Sequence, residues 1–397
     1  MNLNLFDTSV ERQLLPFTHT RPVADIRCGI MTMRQRWKRY LAKESSGTIC
    51  RQELAEVFPA EYGPDNLYVN AQIFTTVSLA IVVSNLKPNQ ALVQGNNLIA
   101  LRTEQHLDTR QINEDSLKDF EPVLFSEQII QLQHVWDIFI LNDYALRSDF
   151  TFLTHNVNSQ AIPEGVRVIG KPENLFIASG AKLYDAVINV ETGPVYIDED
   201  AEVMEGAMIR GPFYLGKHAA VKMGAKIYGA TTIGDGSKVG GELGNAVFFD
   251  HANKGHDGFI GNAVIGSWCN LGADTNCSNL KNNYDEVSIW SEHENGMIKT
   301  GLQFCGLLMG DHSKCGINTM FNTGTVVGVS CNIFGGDFPD KYIPSFSWGG
   351  KNELTLYRFD KALDTAERMM QRRNLSLSEA EKELFKNIYQ RSEQNYK

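Results

Sequence analysis

The chain is predicted to join an α/β domain to a left-handed parallel β-helix of six-residue repeats, followed by a helical tail. Three observations predict it. An aliphatic residue recurs every six positions, a small residue recurs two positions before it, and both patterns are confined to roughly residues 165–336.

The aliphatic column starts at Ile197 and continues through Val203, Ile209, Leu215, Val221, Ile227, Ile233 and Val239. In a chain that is 43% hydrophobic, composition alone does not produce eight successive hits. A second run is Phe259, Ile265, Leu271 and Cys277; a third is Met309, Cys315, Phe321, Val327 and Ile333. The small-residue column holds Ala201, Ala207, Ala219, Ala225, Thr231 and Ser237, then Ala263, Cys269 and Thr275, then Ser313, Thr319, Thr325 and Cys331, with Phe213 its bulky exception. Six residues make one short strand and a turn, and three such units make one triangular coil. The aliphatic side chain fills the prism, and the small residue stands where the chain turns inward and space is short. Gly and Asn supply the positive φ that tight turns require. Stacked coils bury one another's core through parallel strand pairing.

Two phase breaks interrupt the repeat. Val239 to Phe259 is 20 residues and Cys277 to Met309 is 32, each two more than a multiple of six. A bulge or small loop is therefore expected within 240–258 and an inserted loop over 280–300. Irregular loops on a rigid scaffold are where sites usually sit.

The flanks lack hexads. Residues 1–155 alternate short apolar runs (3–6, 67–74, 91–93) with helical stretches at 32–42 and 126–143, an α/β pattern. Residues 156–340 are assigned to the β-helix and 341–397 to the tail, with helices expected over 352–374 and 378–396. Ser378 followed by Glu381 has the form of a capping box. Arg368, Arg372, Arg373, Lys382 and Lys386 make the tail locally basic, which fits a solvated helix face or a phosphate contact.

Composition bounds the function. The formal net charge is −10, so sequence-independent nucleic-acid binding is disfavoured, while anionic small molecules fit a local basic pocket. No leader peptide or membrane span is read. The seven cysteines, at 28, 50, 269, 277, 305, 315 and 331, form no Cys-x-x-Cys pair, so a reducing cytoplasm is expected and no structural zinc site.

Residues 255–275, GHDGFIGNAVIGSWCNLGADT, with Asn279 beyond them, resemble one family. They are similar to the acetyltransferase domain of the bifunctional N-acetylglucosamine-1-phosphate uridyltransferase/glucosamine-1-phosphate acetyltransferase family. The family histidine falls at His256, its two asparagines at Asn270 and Asn279, and its alanine at Ala273. Phe259 and Leu280 stand where the family has tyrosines. The upstream stretch 243–247 also matches, and the family's phosphate-binding Arg and Lys have Lys238 and Lys254 as nearest substitutes. The N-terminal residues Arg12, Pro16, Thr18, Arg21 and Pro22 match the opening motif of sugar nucleotidyltransferases, whereas Thr8, Val10 and Val23 replace two loop glycines and a lysine. Those glycines let backbone N–H groups approach a triphosphate and the lysine neutralises it. The resemblance thus implies a divergent nucleotidyltransferase-like domain fused to a trimer-forming acyltransferase.

What it implies for chemistry is acetyl transfer from acetyl-CoA to the amine of an amino-sugar phosphate. His256 is the expected general base, because its pKa lies near working pH. A backbone N–H near Gly272 and Ala273 is the expected oxyanion donor. Asn270, Asn279, Lys238, Lys254 and Phe259 are expected at the acceptor, and Gly272, Ala273 and His312 at the acyl donor. His251, five residues from His256, opens a metal-binding reading of that loop with Asp250 or Asp257. Two other functions stay open. One is a sugar-1-phosphate nucleotidyltransferase using Arg12, Arg21 and Mg2+; the other is a non-catalytic trimeric assembly or binding protein.

Overall fold

The computed structural model describes residues 1–109, 111–112, 116–351 and 353–396. The chain divides into two compact units. The first comprises Met1–Leu14, Thr20–Ile26 and Met31–His134; the second comprises Leu15–His19, Arg27–Ile30 and Val135–Lys397.

The first unit is an α/β layer. Its six-stranded sheet runs in the order Gly47–Ile49, Asn2–Phe6, Asn66–Asn70, Asn97–Thr103, Gln90–Gln94, Glu121–Leu124. The first three strands are parallel, and Asn97–Thr103 is antiparallel to both its neighbours. The helix expected over 32–42 forms at Met33–Tyr40, where Thr32 and Gln35 close a capping box. Trp37 fixes that helix by burial and by donating Nε1–H to the carbonyl of Ile73 at 2.9 Å. Of the helix expected over 126–143 only the end forms, from Asp137 on. Residues 130–132 run extended, with Phe74 N–H donating to the Ile130 carbonyl and Leu132 N–H to that of Gln72, both at 2.9 Å. Tertiary pairing outweighs local propensity.

The helices that follow, Asp137–Ile140 and Asn142–Thr154, belong to the second unit, whereas the sequence reading draws its boundary at 155. The reason is packing. Leu146 is buried with Ile30, Tyr214 and Ala230. Asn142 accepts from Gly29 N–H at 2.7 Å and from the Thr232 hydroxyl at 3.0 Å, and donates to the Ala230 carbonyl at 2.9 Å.

The rest of the second unit is the β-helix, with parallel strands stacking from Arg167–Ile169 to Ser347–Gly350 on three faces. All eight residues of the Ile197–Val239 column and all five of the Met309–Ile333 column are buried in one continuous core. The second column is corrected by one place: Ile260, not Phe259, occupies the interior, paired with Leu243.

The expected loop within 240–258 is also corrected, because these coils lose residues. The corner after Val239 shrinks to Gly240 and Gly241, and Glu242–Phe248 and Phe259–Ile265 run as seven-residue strands that turn at Asn245 and Asn262, both with positive φ. The inserted loop over 280–300 is present and carries an antiparallel hairpin, Ser288–Ser291 with Gly296–Lys299. In the tail, Glu379–Ser392 follows the capping box of Ser378 and Glu381. The helix expected over 352–374 is shorter, Phe359–Gln371. Asn352 lies outside the described residues, and Glu353–Leu356 adds a strand antiparallel to Ser347–Gly350.

Candidate active site

At each coil the chain turns a corner between a strand such as Lys238–Val239 and the next face. In successive coils this corner is Lys222–Gly224, then Gly240 and Gly241, then 255–258, then 272–274. Because Gly240 and Gly241 form a shorter turn than their neighbours, a notch opens there. A groove of about 480 Å³ results, lined by Lys222, Met223, His256, Asp257, Ala273 and Asp274 among others. The glycines are required by space. A Cβ on Gly241 would lie 2.8 Å from the Asp257 Cα, and one on Gly240 would lie 2.8 Å from the Gly255 carbonyl oxygen.

His256 stands in the groove, exposed, with no hydrogen bond from its imidazole to the described residues. Asp257 and Asp274 place two exposed carboxylates on the same wall. The Gly272 N–H is spent on the Cys315 carbonyl at 3.1 Å, which leaves the Ala273 N–H as the donor free to face a ligand.

Lys254 is the residue most displaced from its expected role. It occupies an interior position, in register with Val239, and is fully buried. Its ammonium donates to the carbonyls of His256 at 2.7 Å, Asp257 at 3.0 Å and Gly240 at 3.2 Å, so no N–H remains for a phosphate. Burial pushes its pKa down to about 8, with Asp257 and Asp274 opposing. Lys254 thus clamps the loop that presents His256.

Phe259 and Asn279 meet on the neighbouring face. A Cβ on Gly261 would lie 2.5 Å from the Phe259 ring and 2.8 Å from the Asn279 amide nitrogen, so the glycine floors that patch. Asn279 donates to the Asn262 side-chain oxygen at 2.8 Å. Glu242 pairs in register with Phe259 and accepts from the Tyr228 hydroxyl at 2.6 Å. Asn270 lies on a different face, in an asparagine ladder where it accepts from Asn253 at 2.7 Å.

His312 and His251 stand at another corner. Both have positive φ, as does Trp268 between them. The Trp268 ring lies 4.2 Å from His251 and 6.1 Å from His312, near-parallel to each. Phe385 of the C-terminal helix meets His312 edge-on at 5.2 Å. His312 is therefore buried by the tail and does not line the groove. Among the described residues no group of three or more His, Cys, Asp or Glu is gathered as a metal site, and His251 and His256 stand at different corners.

In the first unit, the loop after Asn2–Phe6 folds as a 3-10 helix, Ser9–Leu14. It buries Glu11 against Arg51 at 2.6 Å and leaves Arg12 exposed. Asp7 accepts from the Val23 N–H at 3.0 Å, and burial together with Glu11 raises its carboxyl well above the usual range. Arg21 is half-buried two residues before Val23. Thr8 and Val10, where the resemblance calls for glycines, are thus flanked by the carboxylates of Asp7 and Glu11.

Asp274, Lys222 and Glu242 were not among the residues read from the sequence, and Asp257 entered only through the metal reading of its loop. Asp274 adjoins Ala273 in the chain, so the loop assignment could have included it; Lys222 and Glu242 reach the site by coil stacking.

Residues 3–158 match the family described as sugar nucleotidyl transferase. The chain is 32% identical over 204 residues to the uncharacterized acetyltransferase YaiX of Escherichia coli O6:K15:H31 (strain 536 / UPEC), which covers 51% of this chain and 86% of that protein. It is 26% identical over 379 residues to the bifunctional sugar-1-phosphate nucleotidylyltransferase/acetyltransferase of Sulfurisphaera tokodaii, covering 82% of this chain and 93% of that protein. A shorter match, 28% over 128 residues, links it to the bifunctional protein GlmU of Methanocaldococcus jannaschii, covering 32% of this chain and 30% of that protein.

Proposed function

This chain belongs to the family of bifunctional sugar-1-phosphate nucleotidyltransferases/acetyltransferases and is a transferase; from that premise we propose that it acetylates the amine of an amino-sugar phosphate, using acetyl-CoA and His256 as general base. The observation that carries this reading is the exposed imidazole of His256 in a groove that also holds two carboxylates and an uncommitted N–H at Ala273.

The step balances as follows. Asp257 and Asp274 attract the acceptor's ammonium to the groove, where it loses a proton to solvent. The neutral amine attacks the thioester carbonyl carbon while His256 takes the second proton. The oxyanion accepts from Ala273 N–H. Collapse breaks the C–S bond, and the imidazolium returns its proton to the leaving thiolate. Phe259 and Asn279 would hold the sugar ring. Lys254 positions the His256 loop, and His312 supports the tail; neither touches substrate in this reading.

The β-helix would assemble as a homotrimer. Met223 and Ile317, 69% and 70% exposed on either side of the His256 corner, are the apolar groups such an assembly would cover. A stable monomer in sedimentation at micromolar concentration would remove that part. The first unit would be a poor nucleotidyltransferase, because Thr8, Val10 and Val23 replace the two loop glycines and the lysine that would hold a triphosphate. Pyrophosphate release from UTP or dTTP with a sugar 1-phosphate and Mg2+, at ordinary enzyme rates, would overturn that.

The direct test is thiol release from acetyl-CoA with glucosamine 1-phosphate, repeated with other amino sugars. Activity in the wild type that survives His256→Ala undiminished removes the mechanism. The absence of activity with every amine removes the amino-sugar acceptor.

A further inference from the structure

Five basic residues of the tail helices, Arg368, Arg372, Arg373, Lys382 and Lys386, divide into two groups. Arg368 pairs with Asp364 at 3.0 Å, Lys382 with Glu379 at 3.0 Å and with Glu367 at 3.2 Å, and Lys386 with Glu383 at 3.2 Å. These are ordinary solvated helix pairs. Arg372 and Arg373, at the end of the Phe359–Gln371 helix, pair with no carboxylate among the described residues.

Arg373 reaches the β-helix, with Arg372 beside it in the chain. Arg373 donates to the Gly236 carbonyl at 3.1 Å, two residues before Lys238. The register then brings a fourth cation in, because Val221 pairs with Val239 and sets Lys222 beside Gly240 in the coil below. Among the described residues neither Lys222 nor Lys238 pairs with a carboxylate, and the Lys222 ammonium lies 4.0 Å from the Met204 sulfur. The Lys238 ammonium is held below its usual range by burial and then by Arg373, Lys222 and Arg372, with Glu202 the one opposing acid. Arg373 acts in the same sense on His251. Four cations that repel one another have been gathered in a chain of net charge −10. Self-repulsion of this kind is relieved by an anion, and guanidinium groups suit phosphoryl oxygens.

We propose that Lys222, Lys238, Arg372 and Arg373 form a binding site for a phosphoryl group of a molecule whose other end lies in the His256 groove. Lys222 belongs to both, because it lines that groove. The groove supplies the reacting end, and the basic cluster, one strand away, holds the anionic end in register. Two sources share this chemistry: the phosphates of a nucleotide-bearing acyl donor and the phosphate ester of the acceptor. The identity of the ligand rests on the acyl-transfer reading, but the anion site itself does not.

Calorimetric titration of the full chain with pyrophosphate, adenosine 3′,5′-bisphosphate, glucosamine 1-phosphate and uncharged N-acetylglucosamine tests it. The phosphorylated probes are expected to bind and the uncharged sugar not. Lys238→Gln and Arg372→Gln are each expected to weaken binding at least tenfold, and Lys382→Gln, whose partner is a tail glutamate, to leave it unchanged. A gain with the bisphosphate alone assigns the site to the donor, and a gain with the sugar phosphate alone assigns it to the acceptor. Equal affinity in wild type and both variants, or binding of none of the phosphorylated probes, overturns the proposal. His256→Ala keeps the two readings apart: full turnover in that variant would discard the base while the titrations still report on the anion site.

Discussion

The corner that carries His251, Trp268 and His312 and the corner that carries His256 are built by the same hexapeptide rule in the same stack of coils. At the first, three aromatic rings stand at the positive-φ position of successive turns and stack, and Phe385 seals them. At the second, the corresponding turns carry Gly240, Gly241 and Gly258, one turn is cut short, and a histidine is left in the open. Large residues with every coil in step make a face for helices to dock on. Small residues with one coil out of step make a groove. Whether a histidine in this fold is buried or exposed is thus set by what its neighbouring coils do.

That contrast can be broken most sharply by exchanging alanine for each histidine. His256→Ala should lower turnover by ~10²–10⁴ and leave thermal stability unchanged, since general base catalysis is worth that much and the side chain packs no core. His312→Ala should do the reverse, costing about 1–3 kcal/mol in denaturant unfolding with turnover nearly intact. Equal effects of both on both readouts would erase the distinction.

Next in size is Gly258→Ala. This glycine has φ +108° and its added Cβ would lie 2.2 Å from the Thr275 carbonyl oxygen. A loss of roughly 3 kcal/mol in unfolding free energy is expected, with turnover falling because the His256 loop must shift. An unchanged unfolding midpoint would show that the corner is softer than its packing suggests.

Lys254 gives a pH-dependent test of the clamp. Its folded pKa, about 8, lies below that of an unfolded lysine. Above pH 8 the unfolded chain therefore holds more protons, and this lysine makes stability rise with pH until roughly 10.4, where the unfolded form also deprotonates. The wild type should gain roughly 1–3 kcal/mol relative to Lys254→Met across that window. A flat difference would mean that the ammonium is not paying a burial cost. The smallest effect is expected at Ser378→Ala. Losing that capping box should cost about 1 kcal/mol, a small drop in melting temperature, and leave turnover unaffected.

The β-helix was legible because its core rule is local. Each interior residue is six from the next, so burial of Ile197 through Val239 follows from counting. Counting failed where coils shorten. Stepping back by sixes from Ile260 reaches Lys254 and then Phe248, yet starting from Phe259 hides both. For the same reason Lys254 looked like a surface phosphate ligand. His256 was proposed from the flanking motif, and its glycine-rich loop is a short-range property that a sequence displays. The extended run at 130–132 had no such signal, since it depends on pairing with residues 72–74; Glu353–Leu356 pairs with the adjacent Ser347–Gly350, a hairpin that the helix-rich composition of the tail concealed.

The sequence by itself therefore determined the repeat, the inserted loop and the capped last helix, all of which rest on interactions within a few tens of residues. Tertiary structure alone decided that Lys254 points inward, that His312 is sealed by Phe385, and that Arg373 docks on the Gly236 carbonyl, two residues from Lys238. Those outcomes depend on coil register and on helix docking between residues as many as 137 apart, where burial and charge are set by whichever surfaces the completed fold brings together.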